Sequence, residues 1–268
     1  MAGIYISQLL LLTVASSSLA DNYCNGIFFN NDYYNVKIIK EGIPNIHQIV
    51  YSETDNTLYF TFDRITKDPT TSLGYFKIDT EETGLIDIVR NATGLAIDNL
   101  RNRIYVGGSD GLYFLNDKKV PERIPVQDSI QYLFFKDDIY FINARKEAFK
   151  FSYGSVQPVQ ELYGIPVDKF ILDDDNNIFI LQNKKLSRVK IGTRLINTLE
   201  KYVVDAITTN VNFKPYVSTT TGVYMYNKYK YILDKVSDID NLQHLILNRN
   251  GDIINVVKGQ IVKLTRNP

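Results

Sequence analysis

The segment LAIDNLRNRIYVGG, residues 95–108, reads as an apolar strand, a polar turn and a second strand that begins with Ile-Tyr. The same order of strand, turn and strand recurs along the chain at roughly the 40-residue period of four-stranded propeller blades. The other five instances are IVYSETDNTLYFTF from Ile49, LFFKDDIYFIN from Leu133, FILDDDNNIFILQ from Phe170, AITTNVNFKPYVS from Ala206 and LILNRNGDIINVV from Leu245. The repeat predicts an all-β chain that folds as a six-bladed β-propeller.

The sixth unit lacks an outer strand, and the N-terminal region supplies a candidate for it. The segment YNVKIIK, from Tyr34 to Lys40, has the pattern of a strand but belongs to no unit of its own. We expect it to complete the last blade, which would join the two ends of the domain and remove an open sheet edge. A five-bladed propeller would require one unit to be discarded, and none is weak enough.

Residues 1–20 have the features of a signal peptide. Leu9 to Val14 form an apolar run, and Ser18-Leu19-Ala20 fits the small residues that precede a cleavage site. The run is shorter than the roughly 20 residues of a membrane span. We therefore expect a secreted, extracellular protein that has no membrane partner, with a single propeller domain over residues 21–268. In that setting the sequon at Asn91 predicts N-glycosylation.

Composition limits the classes of partner. The 30 basic and 30 acidic residues cancel, so no overall field would attract nucleic acid. Cys24 is the single cysteine, which excludes an internal disulfide framework. It leaves three alternatives open: a free thiol near the N-terminus, a dimer through an intermolecular disulfide, or a thiol capped by a small molecule.

The starts of the innermost strands form a predicted ring of side chains around the channel mouth. When the units are aligned, both histidines of the chain, His47 and His244, fall at equivalent positions. We predict that polar residues from this ring and from the ring one residue earlier converge on a ligand. The candidates are His47, Gln131, Asp168, Lys169, Asp205, Gln243 and His244.

The chemistry of these residues fits binding better than catalysis. Basic residues in the surrounding loops permit an anionic ligand, and the 19 tyrosines could stack on a flat one. Two His and two Asp could bind zinc, but nothing in the sequence places them around one point. The chain contains no nucleophile elbow, no phosphate-binding glycine loop and no zinc-hydrolase helix motif, and it predicts no cofactor.

The chain resembles the ommochrome-binding proteins of moths and butterflies. The resemblance depends on YNVKIIK running into GIPNIHQIVY from Gly42, on NTLYFTF from Asn56 and on RIYVGGSDGLY from Arg103. It implies a secreted haemolymph carrier, not an enzyme, that binds a tryptophan-derived phenoxazinone pigment non-covalently. Two alternatives remain: a calcium-dependent lactonase or esterase of the gluconolactonase and paraoxonase kind, or a protein-binding propeller.

Overall fold

The computed structural model describes residues 26–67 and 70–267, so the expected signal peptide of residues 1–20 and Cys24 lie outside the described residues. The chain is built from antiparallel β-sheets, with a short 3-10 helix at Gln160–Leu162. In chain order the strands are β1 (Ile27–Phe29), β2 (Asp32–Lys40), β3 (Ile46–Ser52), β4 (Thr57–Arg64), β5 (Thr70–Lys77), β6 (Thr83–Ile86), β7 (Gly94–Asp98), β8 (Arg103–Gly108), β9 (Gly111–Leu115), β10 (Pro121–Ile124), β11 (Ile130–Lys136), β12 (Asp138–Asn143), β13 (Ala148–Ser152), β14 (Ser155–Pro158), β15 (Lys169–Leu172), β16 (Ile178–Gln182), β17 (Lys185–Val189), β18 (Ile196–Thr198), β19 (Val204–Thr209), β20 (Pro215–Thr219), β21 (Gly222–Asn227), β22 (Ile232–Ser237), β23 (His244–Leu247), β24 (Ile253–Val257) and β25 (Gln260–Arg266).

The sheets are the six predicted blades, and this confirms the expected fold class. Blades 1 to 5 each contain four consecutive strands, starting with β3, β7, β11, β15 and β19 as their innermost strands. Blade 6 has five strands in the order β23-β24-β25-β2-β1. The second strand of each blade contains one anchor residue of the repeat, which is Tyr or Phe in blades 1 to 5 and Ile in blade 6. In blade order the anchors are Tyr59, Tyr105, Tyr140, Phe179, Tyr216 and Ile254. They pack between neighbouring blades, as Tyr105 of blade 2 does when it stacks on Phe135 of blade 3.

The N-terminal strand closes the last blade as the sequence indicated. β2 pairs antiparallel with β25, with Val36 opposite Leu264. The structure adds β1, which was not expected, as an outermost strand beyond β2. The turn that follows β1 also contacts blade 5, because the amide of Asn30 donates to the carbonyl of Val236 at 2.7 Å. Closure therefore joins the two ends of the domain and also connects blade 6 to blade 5 by a hydrogen bond.

The channel is not symmetrical, because blades 1, 2 and 3 approach one another closely. Two glycines of blade 2 permit this approach: a Cβ atom on Gly107 would lie 2.3 Å from Cγ2 of Ile130, and a Cβ atom on Gly94 would lie 3.0 Å from the same atom. A side chain at Gly107 could fit only if blade 3 moved. At the end of the channel where the innermost strands begin, the space on the axis consequently lies towards blade 1 and blades 3 to 6.

Candidate functional site

All seven candidate residues line one cavity of about 490 Å³. It opens on the face that carries the blade-to-blade connections, and we call it the polar mouth. Gln131 and Gln243 are exposed at its edge, whereas His47, Asp168, Lys169, Asp205 and His244 are half-buried. No lining residue comes from blade 2. The predicted residues are thus brought together; that they bind a ligand remains a prediction.

The strand register changes which of these residues are equivalent. In blades 1, 3 and 5 the pairing of the innermost strand skips one residue, and the skipped residues are His47, Gln131 and Asp205. A β-bulge of this kind redirects a side chain. Gln48, Lys169 and His244 each pair with the residue two positions after the anchor of their blade, so these three are equivalent. His47 therefore corresponds to the residues one position earlier, Asp168 and Gln243. The expected equivalence of the two histidines was therefore wrong by one position, because a bulge cannot be recognised by counting residues.

His47 is held by an acidic residue of the same blade. Its Nε2 donates to Oδ1 of Asp63 at 2.6 Å, and Nδ2 of Asn45 donates to the other carboxylate oxygen at 2.6 Å. These two hydrogen bonds lower the pKa of Asp63. Asp63 lies near the end of β4, and nothing in the sequence indicated that it orients His47.

His244 is neutral at physiological pH. Its Nε2 lies 2.8 Å from the carbonyl oxygen of Ile46, so this nitrogen carries the hydrogen and donates it. Burial, assisted by the nearby positive charge of Lys169, lowers the pKa of His244 to about 3. The ring therefore has Nδ1 available as an acceptor.

The two carboxylates of the polar mouth are already paired with lysines from neighbouring turns. Lys146 Nζ lies 2.7 Å from Asp168, which also accepts the amide of Asn183 at 2.8 Å. Burial alone would raise the pKa of Asp168, but these hydrogen bonds outweigh it and the pKa is lowered. Lys184 Nζ lies 2.9 Å from Oδ1 of Asp205. Oδ2 of Asp205 is buried without a hydrogen-bond partner among the residues that the structure describes.

Lys169 is the cation of the polar mouth that lacks such a partner. No hydrogen bond or ion pair joins its Nζ to any other residue within 26–67 and 70–267. Burial lowers the pKa of Lys169, and the nearby Asp168 counteracts this only in part. A charged amine surrounded by protein but open to a cavity favours an anionic group of a ligand.

The described ranges contain no group of three or more His, Cys, Asp or Glu side chains arranged to hold a metal ion. In the same ranges, no helix is long and apolar enough to cross a membrane. Asn91, the predicted glycosylation site, is exposed in the connection between β6 and β7. The asparagine is thus accessible, and its glycosylation stays a prediction.

These features define a six-bladed propeller with a polar, ligand-sized cavity on its axis. The chain is 23% identical to the ommochrome-binding protein of Manduca sexta, and the match covers 96% of this chain and 97% of that relative. No protein-family model matches the chain.

Solved structures similar to the chain share its propeller fold. A gluconolactonase from Xanthomonas campestris superposes with a TM-score of 0.69 at 10% identity, covering 91% of this chain and 96% of the enzyme. Regucalcin, a calcium-binding protein from Agrobacterium tumefaciens, has a TM-score of 0.65 at 9% identity, covering 87% and 94%. At such identities the likeness describes the fold alone.

Proposed function

We propose that the chain is a secreted carrier that binds a small, aromatic, anionic ligand of the ommochrome kind non-covalently in its polar mouth. The observation that carries the proposal is Lys169, a half-buried amine that lines a cavity of about 490 Å³ and has no partner among the described residues. The opposite charges nearby are already engaged by other lysines, so an acidic group of the ligand is the partner that Lys169 lacks. The relative from Manduca sexta, whose name states that it binds an ommochrome, suggests the ligand class.

The two histidines would complete recognition of the ligand. His244 offers Nδ1 as an acceptor, because its Nε2 hydrogen is used by Ile46. His47 is fixed by Asp63 through Nε2, so its Nδ1 is also available. In this arrangement the ligand needs both an anionic group for Lys169 and donor groups for the imidazoles, and Gln131 and Gln243 can contact it at the edge of the cavity.

Titration with a purified ommochrome, xanthommatin, tests the proposal. The pigment should co-elute with the protein in gel filtration and shift its visible absorbance on binding. Lys169→Met should raise the Kd by about tenfold or more, because a charge-assisted hydrogen bond contributes about 1.5–3 kcal/mol. The exposed Lys185→Met is the matched control and should bind like the wild type. Replacing both His47 and His244 with Ala should also weaken binding while folding is retained.

A protein that does not bind the pigment, or a Lys169→Met variant with unchanged affinity, would contradict the carrier. The alternative is then the calcium-dependent lactonase or esterase that the sequence left open. Its test is lactone hydrolysis with and without added calcium. Calcium-dependent turnover that is lost on replacement of Asp168 and Asp205 would support the enzyme.

The proposed secretion has a test of its own. When the chain is expressed in insect cells, the mature protein should appear in the medium with Asp21 at its N-terminus. A glycosidase that releases N-linked sugars should lower its apparent mass, and Asn91→Gln should abolish that change. Non-reducing electrophoresis, with Cys24→Ser as the control, distinguishes a disulfide-linked dimer from a free thiol.

A further inference from the structure

A second cavity, of about 440 Å³, lies at the opposite end of the channel. We call it the aromatic mouth, because Tyr51, Phe134, Phe135 and Phe213 line it. Leu100 and Val211 lie at its rim and are exposed, at 80% and 40%. Pockets of a few hundred Å³ with apolar and aromatic walls are typical of small-molecule sites.

The two mouths are separate sites on one axis. Gln48 and Tyr132 line both cavities and therefore lie between them. Their chemistry differs, because the aromatic mouth has no counterpart to Lys169. Of its charged groups, Arg249 approaches Glu53 at 3.5 Å, and Asp98 is paired with Arg101 at 2.8 Å. Asp137 is exposed. An uncharged ligand suits these surroundings better than an anion.

The turns that surround the aromatic mouth reveal an unusual residue. In every blade, a residue one or two positions before the start of the second strand has a positive φ. These residues are Asn56 (46°), Asn102 (49°), Asp137 (59°), Asn176 (62°), Phe213 (57°) and Gly251 (81°). Asn, Asp and Gly tolerate this left-handed conformation, whereas a bulky side chain such as that of Phe213 is a true outlier in it.

The turn itself does not require a phenyl group. Its hydrogen bonds come from the main chain and from Asn210, whose carbonyl accepts the amide of Phe213 at 2.9 Å. Oδ1 of Asn210 accepts the amides of Asn212 and Lys214, both at 3.0 Å. The equivalent turns of blades 4 and 6 make the same main-chain hydrogen bonds with Asn176 and Gly251 in the strained position. Asn or Gly would therefore build this turn at a lower backbone cost.

Phe213 lines the cavity, and its ring lies beside a fixed cation. Nζ of Lys136 lies 4.8 Å from the ring centroid. Lys136 is itself buried and fixed, since it donates to Oδ1 of Asn176 at 2.7 Å and to the carbonyl of Asp173. Phe213 is half-buried, so part of the residue stays accessible where it lines the cavity. Strained residues of this kind are concentrated at ligand clamps.

We propose that the aromatic mouth is a second binding site, for an uncharged planar aromatic molecule that packs against Phe213. The inference is independent of the ligand of the polar mouth. It depends on a strained aromatic residue, on the aromatic walls beside it and on an apolar rim without an unpaired positive charge.

The test uses N-phenyl-1-naphthylamine, an uncharged aromatic dye that fluoresces in apolar sites. We expect saturable binding of one dye per chain. Phe213→Asn should raise the Kd by about tenfold, because it removes a phenyl contact of the dye. Its unfolding temperature should stay within about 2 °C of the wild type, because relief of backbone strain offsets the lost cation–π contact.

The control is Tyr153→Asn, which relieves a similar strain (φ 48°) at a fully exposed turn of blade 3. Its Kd should equal that of the wild type. Val211→Asp at the exposed rim provides a second variant and should also weaken dye binding. Lys169→Met should not change the dye Kd, although it weakens binding of the ommochrome, so each proposal can fail alone. Absence of saturable dye binding, an unchanged Kd in Phe213→Asn, or loss of the dye in Lys169→Met would overturn the inference.

Discussion

Gln48 of blade 1 pairs with the main chain of Leu133 in blade 3, which lies 85 residues further along the chain. Its Nε2 donates to the carbonyl of Leu133 at 3.0 Å, and its Oε1 accepts the amide of Leu133 at 2.9 Å. The same Oε1 accepts the amide of Leu95 in blade 2, also at 2.9 Å. One side chain thus forms hydrogen bonds with main-chain groups of two other innermost strands. Without it, these groups would be unpaired, because the innermost strands are sheet edges at the channel.

Replacing this glutamine should destabilise the ring of blades. Gln48→Leu leaves the buried amides of Leu95 and Leu133 and one carbonyl without partners, so we expect a loss of about 2–5 kcal/mol in the free energy of unfolding. Urea denaturation measures the change. Gln131→Leu, at an exposed residue, is the control and should change stability by less than about 0.5 kcal/mol. Equal stabilities of the two variants would show that Gln48 does not join the blades.

Lys169 should lower the stability of the unliganded protein. Burial lowers its pKa from the usual 10.5, so the unfolded chain binds more protons than the folded one between the two pKa values. Stability therefore rises with pH through that window. We expect Lys169→Met to raise the free energy of unfolding by about 1–4 kcal/mol at pH 7, with a smaller gain as the pH approaches 10. Denaturation at pH 7 and at pH 9.5 tests this, and a variant less stable than the wild type at pH 7 would refute it.

His244 predicts a loss of stability in mild acid. Its pKa is 6.5 unfolded and about 3 in the folded protein, so the unfolded state binds the extra proton between these values. Stability should fall with decreasing pH from about 6.5 to 3, by up to about 1.4 kcal/mol per pH unit from this group. His244→Gln keeps a donor for Ile46 but does not titrate in this range, and its profile should be flatter. His47→Gln retains His244 and should keep the steep profile; identical slopes for the two variants would rule out His244 as the cause.

The closing strand offers a matched pair of neighbouring phenylalanines. Phe29 is 2% exposed and stacks on Tyr216 of blade 5, with ring centroids 6.1 Å apart. Phe28 is 64% exposed. Phe29→Ala should cost about 3–5 kcal/mol of stability, because it opens a cavity between blades 5 and 6. Phe28→Ala should cost less than about 1 kcal/mol. Thermal unfolding compares them, and similar costs would mean that β1 does not anchor blade 6 to its neighbour.

Much of the fold could be predicted because a blade is local in sequence. The apolar anchors and polar turns repeat within a few tens of residues, so blade number and strand order follow from the pattern. The strand over Tyr34 to Lys40 was also predicted, since an unassigned strand can supply the outer strand that an incomplete blade lacks. β1 was missed because a strand of three residues is too short to show an alternation of apolar and polar residues. Its contacts with blade 5 are also distant in sequence.

The sequence predicted which residues meet at the candidate site, but it did not predict how their side chains are arranged. All seven residues line the polar mouth, because the starts of the innermost strands must surround the axis of any propeller. The bulges that skip His47, Gln131 and Asp205 have no signature in a single sequence. Nor does any local pattern indicate that Asp63 orients His47, or that Lys146 and Lys184 neutralise the two aspartates.

The sequence by itself determined the architecture, since hydrophobic alternation and turn residues act within one blade. It also determined which residues surround the channel. Only the tertiary structure decided how their charges are shared, because ion pairs and burial depend on neighbours from other turns and other blades. For this reason the sequence did not indicate that Lys169 has no partner among the described residues, or that His244 is neutral. The strain at Phe213 is visible only in the folded backbone, where six equivalent turns can be compared.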